Sequence, residues 1–379
     1  MFMQPKRILQ VVTIMNRGGI ETMLMNYFRQ IDRSKIQFDF LVHRTEPGHY
    51  DEEILKLGGR IFYMTPIRPG NYRKYFRLLD QFFTTHREYK VVHSHINENS
   101  SFVLRAAKKA GIPGRIAHSH TSESGIDIKI LFRLYARYSM KNNPSDYFAC
   151  SKNAGEWLFG KKISESNELI VLKNAVNANK FTFNQNIRKT TRNSLGISNK
   201  LVIGHIGTFY KPKNHDFLIN IFYELQKKQP NAVLLLVGEG KLKLSIEKKV
   251  NRLGLTKKVL FLGVREDVPN LMQAIDLLLF PSIVEGLPVV LIEAQAAGVK
   301  CLVSNSITQE SDITGLVEFM SLKISPEKWA EKILSVSYEH TDTFETIAKQ
   351  GFNSTANAKW LADFYIQYHP ENQTLVGGF

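Results

Sequence analysis

VLFLGVREDVPNLMQAIDLLLFPSIVEGLPVVLIEAQAAG, residues 259–298, contains two short apolar runs, each followed by a longer stretch with helical character. VLFLG (259–263) and LLLFPS (277–282) are almost continuously apolar and end in turn residues, which predicts strands covered on both faces. A helix is expected through LPVVLIEAQAAG, with Pro288 in its first turn, where a missing N–H costs nothing. Strand, helix, strand, helix in this order implies a parallel sheet with helices packed on it. Within residues 281–298 the only charges are Glu285 and Glu293. Burying a carboxylate is costly unless partners meet it, so these two need an explanation.

The same alternation extends in both directions. Toward the C-terminus CLVS (301–304) adds a strand; toward the N-terminus LVIGHIG (201–207) and AVLLLVG (232–238) add two more. Earlier still, ILQVVTI (8–14), FDFLVH (38–43), RIFYM (60–64), VVHSH (91–95), RIAHSH (115–120) and YFACS (147–151) form a first series, with amphipathic stretches between most of them. The two series are separated by LKNAVNANKFTFNQNIRKTTRNSLG, which is polar and poorly periodic. An α/β chain of two doubly wound Rossmann-like domains, 1–178 and 179–379, is expected, with a ligand cleft between them at the carboxyl ends of the strands. ANAKWLADFYIQY near the C-terminus spaces Trp360, Leu361, Phe364, Tyr365 and Tyr368 at packing intervals, so a terminal helix should dock back on one domain.

At 379 residues the chain exceeds the usual size of one core, which agrees with two domains. Cys150 and Cys301 stand alone, outside any metal or disulfide spacing. The apolar run Ile8 to Met15 is too short to span a membrane and carries no cleavage signal, so a cytoplasmic protein is expected. The net charge of +15 is uneven: residues 1–180 hold 28 basic against 16 acidic side chains, residues 181–379 only 22 against 19. An anionic partner is therefore expected on the first half, and no recognition motif points to nucleic acid.

Glu285 falls in the turn after LLLFPS, and Gly286 and Leu287 offer backbone N–H groups at a helix start, a favourable place for phosphate. Glu293 lies further along the helix; a carboxylate can accept from paired sugar hydroxyls. This E-x7-E spacing inside PS-x-x-EGLP-x-x-LIEA-x-AAG resembles the retaining glycosyltransferases of family 4 (glycosyltransferase group 1), which have the two-Rossmann GT-B fold. The likeness continues through LKNAVN (172–177), IGTFYKPKNHDFLI (206–219), LLLVGEGKL (234–242) and residues 259–282. It implies donor-binding roles for Gly207, Thr208 and Lys213, for backbone near Arg265 at the base, for Glu293 at the ribose and Glu285 at the donor sugar. In this family an arginine usually stands where Thr208 does; a hydroxyl supplies one hydrogen bond and no charge. Lys211 and Arg17 are candidates to make up that charge.

NRGGIET (16–22) joins the first strand to a helix, and the resemblance places Gly18 and Gly19 over donor phosphates and acceptor. His93 and His95 alternate onto one face, His118 and His120 onto another. The resemblance gives His120 a contact with the donor sugar near the reacting carbon, so His120, Glu285 and Lys213 form the expected catalytic set; the other three histidines read as core. No carboxylate accompanies the histidines at ligand spacing and the family binds its donor without metal, so no metal or other cofactor is expected. Lys129, Arg133, Arg137 and Lys141 recur every four residues beside an apolar band, and RPGNYRKYFRLL (68–79) mixes cations with aromatics. Either solvated helix faces or peripheral contact with an anionic membrane at the inner face of the plasma membrane fits this pattern.

Together these features predict a retaining hexosyltransferase that takes a nucleotide sugar, expected to be a UDP-sugar, and a saccharide or lipid-diphosphate-linked acceptor in capsule or exopolysaccharide assembly. Two other readings share the fold: a UDP-sugar 2-epimerase, and a non-catalytic nucleotide-sugar-binding partner of another transferase.

Overall fold

The computed structural model describes residues 4–68, 70–120, 130–285 and 287–368. The chain forms two compact units: one up to Ala175 and again from Ser354, the other Val176–Asn353. In the first unit β1 (Lys6–Val12), β2 (Ile36–Val42), β3 (Ile61–Tyr63), β4 (Val91–Ser94), β5 (Gly114–Ser119), β6 (Asp146–Ala149) and β7 (Leu169–Val171) form a sheet ordered β3-β2-β1-β4-β5-β6-β7. All its pairings are parallel. In the second, β8 (Leu201–Ile206), β9 (Ala232–Val237), β10 (Val259–Gly263), β11 (Leu277–Phe280), β12 (Lys300–Ser304) and β13 (Val317–Met320) are ordered β10-β9-β8-β11-β12-β13, again parallel throughout.

Alternate residues of each central strand feed different cores, as a sheet covered on both faces requires. From β1, Ile8 joins Phe38 and Phe40 in the core beneath the helix Gly19–Gln30, whereas Leu9 and Val11 join Tyr75, Leu79 and Phe102 beneath the helices Tyr72–Thr85 and Ser100–Lys109. The second sheet likewise lies between a core holding Leu278 and Phe280 and another holding Leu277 and Leu279. Strand order reverses beside β1 and β4 in one unit and beside β8 and β11 in the other, which creates a crevice at their carboxyl ends. The two strands absent from the sequence reading, β7 and β13, are edge strands of three and four residues.

The domain division differs from 1–178 and 179–379 in two respects: the boundary falls between Ala175 and Val176, and the chain returns to the first unit from Ser354. The terminal helix Ser354–Ile366 packs into the first unit, where Ala358, Leu361 and Tyr365 are buried in the same core as Ile8, Phe28 and Phe38. Phe364 lies edge-on to Phe148 at 5.2 Å and Tyr368 donates to Asp146. These apolar positions complete the face of the first sheet that the helix Gly19–Gln30 leaves partly uncovered, and burial of that area drives the docking.

In the second unit Asp276, just before β11, is nearly buried and receives Arg188 and Arg192 from the helix Gln185–Ser194, together with the Val202 N–H at 2.7 Å. The carboxylate thus clips this helix to the first residues of β8. Removing one partner of such a group strands the others without compensation. Asp276→Ala is expected to cost about 3–5 kcal/mol in chemical denaturation, whereas a loss below about 1 kcal/mol would mean the cluster is decorative.

Candidate active site

In the second unit the polar groups collect where β8 and β11 end. The turn after β9 presses on the segment after β8: Gly238 has φ +135°, and a Cβ there would lie 2.1 Å from the Gly207 carbonyl oxygen. Only glycine fits that approach. Phe209 N–H donates to Glu239 O at 2.9 Å, Asn214 Nδ2 to Pro281 O at 3.0 Å, and Ile283 N–H to Pro212 O at 2.7 Å. The loops after β8, β9 and β11 are therefore one bonded assembly.

That assembly carries Lys213 to Glu285. Their Nζ and Oε1 are 2.8 Å apart in a largely desolvated pair, with 18% and 15% of the side chains exposed. Nζ also lies 4.6 Å from the centre of the Phe280 ring, and the lysine stem crosses Gly207, where a Cβ would come within 3.2 Å of it. Two residues assigned separately to phosphate and sugar thus form an ion pair with each other. Phe280, His205 and His215 surround them, with His205–Phe280 and His205–His215 ring separations of 5.3 and 4.7 Å. Sequence reading missed all three; HIG and KNHD held the only hint, a histidine beside each glycine or lysine already chosen. Burial lowers His215 to about 4, so it adds no charge beside Lys213 at neutral pH.

The helix after Glu285 is Val289–Ala296, with Pro288 at its cap and Leu287 buried just before it. Gly286 lies outside the described residues. Glu293 projects from the second turn, and among the described residues its side chain has no hydrogen-bond or ion-pair partner. Burial pushes its carboxyl up to about 8, which favours the neutral form at pH 7. Thr208 is exposed. Arg265 grips Asp267 through two hydrogen bonds of 2.7 Å.

In the first unit Gly18 caps the helix Gly19–Gln30, and a Cβ on it would meet Glu21 Oε2 at 2.4 Å. Glu21 was not singled out from sequence, yet burial raises it to about 7. Arg17 lies against the Tyr50 ring at 5.4 Å.

The histidines depart from expectation. Parallel register sets His93 beside Ile116 and Ser94 beside Ala117, so His93, His95, His118 and His120 share one face and form one cluster. His93 Nε2 and His118 Nδ1 are 3.1 Å apart, His95 Nδ1 and His120 Nε2 2.9 Å, and the His118 and His120 rings stack at 4.0 Å. His93, His95 and His118 hold ring nitrogens within 4.8 Å of one another, and these nitrogens bond to each other, to Gln10 and to Tyr365. Burial lowers all four pKa values, His120 to about 3.

The two basic segments come together in the first unit. Tyr72 stacks on Phe132 at 5.8 Å, joining the helices Tyr72–Thr85 and Ile130–Met140. Arg73, Lys74, Arg77 and Lys141 are exposed there, as are Leu134, Tyr135 and Tyr138, while Arg137 leans on Trp157 at 5.3 Å. Lys129 and the side chain of Arg133 lie outside the described residues. No helix among the described residues is long and apolar enough to cross a membrane.

Comparison with known proteins agrees with this geometry. Residues 17–180 match the family described as Glycosyltransferase Family 4, and residues 187–346 that described as Glycosyl transferases group 1. EpsF, named as a glycosyltransferase of Bacillus subtilis (strain 168), is 37% identical over 95% of this chain and 96% of its own. CapH of Staphylococcus aureus, a capsular polysaccharide biosynthesis glycosyltransferase, is 26% identical over 89% of this chain and 95% of its own. The structure of Anabaena Alr3699/HepE in complex with UDP-glucose superposes with a TM-score of 0.76 at 19% identity, covering 95% of this chain and 99% of that one. Two doubly wound units, the assembled loops after β8, β9 and β11, and a relative matched along nearly its whole length establish that this chain belongs to the family 4 (group 1) glycosyltransferases of the GT-B fold.

Proposed function

We propose that this glycosyltransferase uses a nucleotide sugar, specifically a UDP-sugar, and transfers the sugar with retention to a saccharide or lipid-diphosphate-linked acceptor in surface polysaccharide assembly. The Lys213–Glu285 pair at the ends of β8 and β11 carries this reading. The complex of HepE with UDP-glucose and the naming of CapH support the donor and pathway. Lys213 and the backbone N–H groups of Gly286 and Leu287 are assigned the diphosphate, with Gly207 and Thr208 beside it. Glu293 is assigned the ribose, backbone near Arg265 the base, and Glu285 the sugar hydroxyls. In the first unit His120 is assigned a hydroxyl of the donor sugar, and Gly18 and Gly19 close backbone approach to a substrate.

The pair then works as an exchange. A diphosphate takes the Lys213 ammonium, which leaves Glu285 able to accept from sugar hydroxyls; both desolvated charges keep a partner. As the glycosidic C–O bond breaks, negative charge grows on the leaving phosphate oxygen, and a lysine already in place stabilises it. Retention is assigned to attack from the leaving-group side: the acceptor oxygen bonds to the anomeric carbon while its proton passes to the departing phosphate oxygen. No enzyme nucleophile and no metal enters this scheme.

Titration of UDP by calorimetry tests the exchange. Lys213→Ala is expected to weaken UDP roughly 10- to 150-fold, the value of a hydrogen bond to a charged group. Glu285→Gln, which frees the lysine, should bind UDP at least as well as the native protein but transfer sugar about 100-fold more slowly. Equal weakening of UDP by both variants would refute it.

Glu293 makes binding depend on pH. The unliganded carboxyl is protonated below about pH 8, and hydroxyls donating to it favour the ionised form. Binding below pH 8 therefore releases a proton, and affinity for UDP should climb toward pH 8 and level off above it. In the unfolded chain this carboxyl ionises near 4.3, so the unliganded protein loses stability as pH rises from there to about 8. Glu293→Gln should remove both effects, adding roughly 2–4 kcal/mol of stability at pH 8. A variant whose UDP affinity keeps the native pH dependence would exclude the ribose assignment.

The basic and aromatic surface on Tyr72–Thr85 and Ile130–Met140 is assigned to an anionic membrane, where cations attract the headgroups and Leu134, Tyr135 and Tyr138 enter the interface. Binding to vesicles rich in anionic lipid should fall at least tenfold in a Leu134→Ser, Tyr138→Ser double variant and fade at high salt. Unchanged vesicle binding by that variant would show that this face is simply solvated.

A further inference from the structure

Gln10 lies mid-strand in β1 with no exposure, and a buried primary amide must satisfy an acceptor and two donors. Its Oε1 accepts from His95 Nε2 at 2.9 Å and its Nε2 donates to Tyr365 Oη at 3.2 Å. Each partner passes the interaction onward. His95 Nδ1 meets His120 Nε2 at 2.9 Å; Tyr365 Oη meets His93 Nδ1 at 2.7 Å, and His93 Nε2 meets His118 Nδ1 at 3.1 Å. Two hydrogen-bond chains thus leave the two ends of one amide and finish on His120 and His118.

A neutral imidazole has one N–H and one bare nitrogen, so the direction of the first bond decides all that follow. Burial keeps the four rings neutral. Gln10 Oε1 only accepts, so His95 holds its proton on Nε2 and presents a bare Nδ1. His120 must donate to that atom from Nε2, which leaves its own Nδ1 as a lone pair. Along the other chain Gln10 donates to Tyr365; the Tyr365 hydroxyl proton has His93 Nδ1 as its acceptor among the described residues, so Tyr365 donates there, His93 donates from Nε2 to His118 Nδ1, and His118 Nε2 bears a proton. Among the described residues the two terminal atoms, His120 Nδ1 and His118 Nε2, are buried without a partner. Turning the single Gln10 amide over would reverse every donor and acceptor in both chains, which makes it the group that sets them.

We propose that Gln10 is a positioning residue that fixes His120 with a bare Nδ1, and that Tyr365 ties the same network to the terminal helix. A ligand atom meeting His120 must then bring its own proton: a sugar hydroxyl qualifies, whereas an ionised phosphate oxygen would face a lone pair. The sugar part of this statement rests on the reading of His120 given above; the tautomer does not.

Nitrogen NMR of the full chain labelled at its histidine rings, recorded without substrate, tests it. The native protein is expected to carry the proton of His95 and of His120 on Nε2 alone, unchanged from pH 5 to 8. Gln10→Leu, which removes the acceptor, should abolish that single pattern at both rings. Tyr365→Phe, which keeps the buried ring, should alter His93 and His118 and leave His120 as in the native protein. A native His120 protonated on Nδ1, a folded Gln10→Leu protein with His95 and His120 unaltered, or a Tyr365→Phe protein with His93 and His118 unaltered overturns the proposal. The native spectrum and Tyr365→Phe decide the matter even where Gln10→Leu does not fold. Failure of the sugar assignment would register separately, as full transfer activity in His120→Ala.

Discussion

Strands buried on both faces can carry polar chemistry only at their ends, or in groups that satisfy each other, because an unpaired polar atom in such a layer costs about 1–3 kcal/mol. That constraint organises both units. In the second sheet, the carboxyl ends of β8 and β11 hold Gly207, Lys213 and Glu285, bonded together by loops that share backbone hydrogen bonds. In the first sheet, the same constraint produces the closed set of Gln10, four histidines and Tyr365, in which nearly every buried nitrogen and oxygen finds another.

Desolvation also limits the standing charge buried within each unit. His205, His215 and the four histidines of the first unit are neutral, and Glu293 and Glu21 are pushed up to about 8 and 7. Lys213 is ion-paired with Glu285 and lies over the Phe280 ring. Thr208, exposed after β8, carries a hydroxyl and no charge.

The terminal helix has two consequences. Its apolar side completes the core of the first unit, and Tyr365 reaches from that core into the histidine cluster. Packing and tautomer selection therefore depend on the same side chain. An apolar residue of equal size at 365 would preserve the core while breaking one hydrogen-bond chain.

The strand and helix periodicity of residues 259–298, the repeat of that pattern in two series and the E-x7-E motif determined by themselves that this chain is a two-unit parallel α/β protein resembling family 4 glycosyltransferases. Those features are local: they follow from which few neighbouring residues are apolar and where turns fall. The tertiary structure alone decided the rest. It placed the terminal helix on the first unit, because spacing at Trp360, Leu361 and Tyr365 tells that a face is apolar but not which surface covers it. It put His93, His95, His118 and His120 on one face, because that depends on the register between β4 and β5. It joined Lys213 to Glu285, 72 residues apart in sequence, and drew Gln10 to Tyr365, 355 residues away. Hydrogen bonds and ion pairs act over about 3 Å, and only folding brings such distant residues within that range.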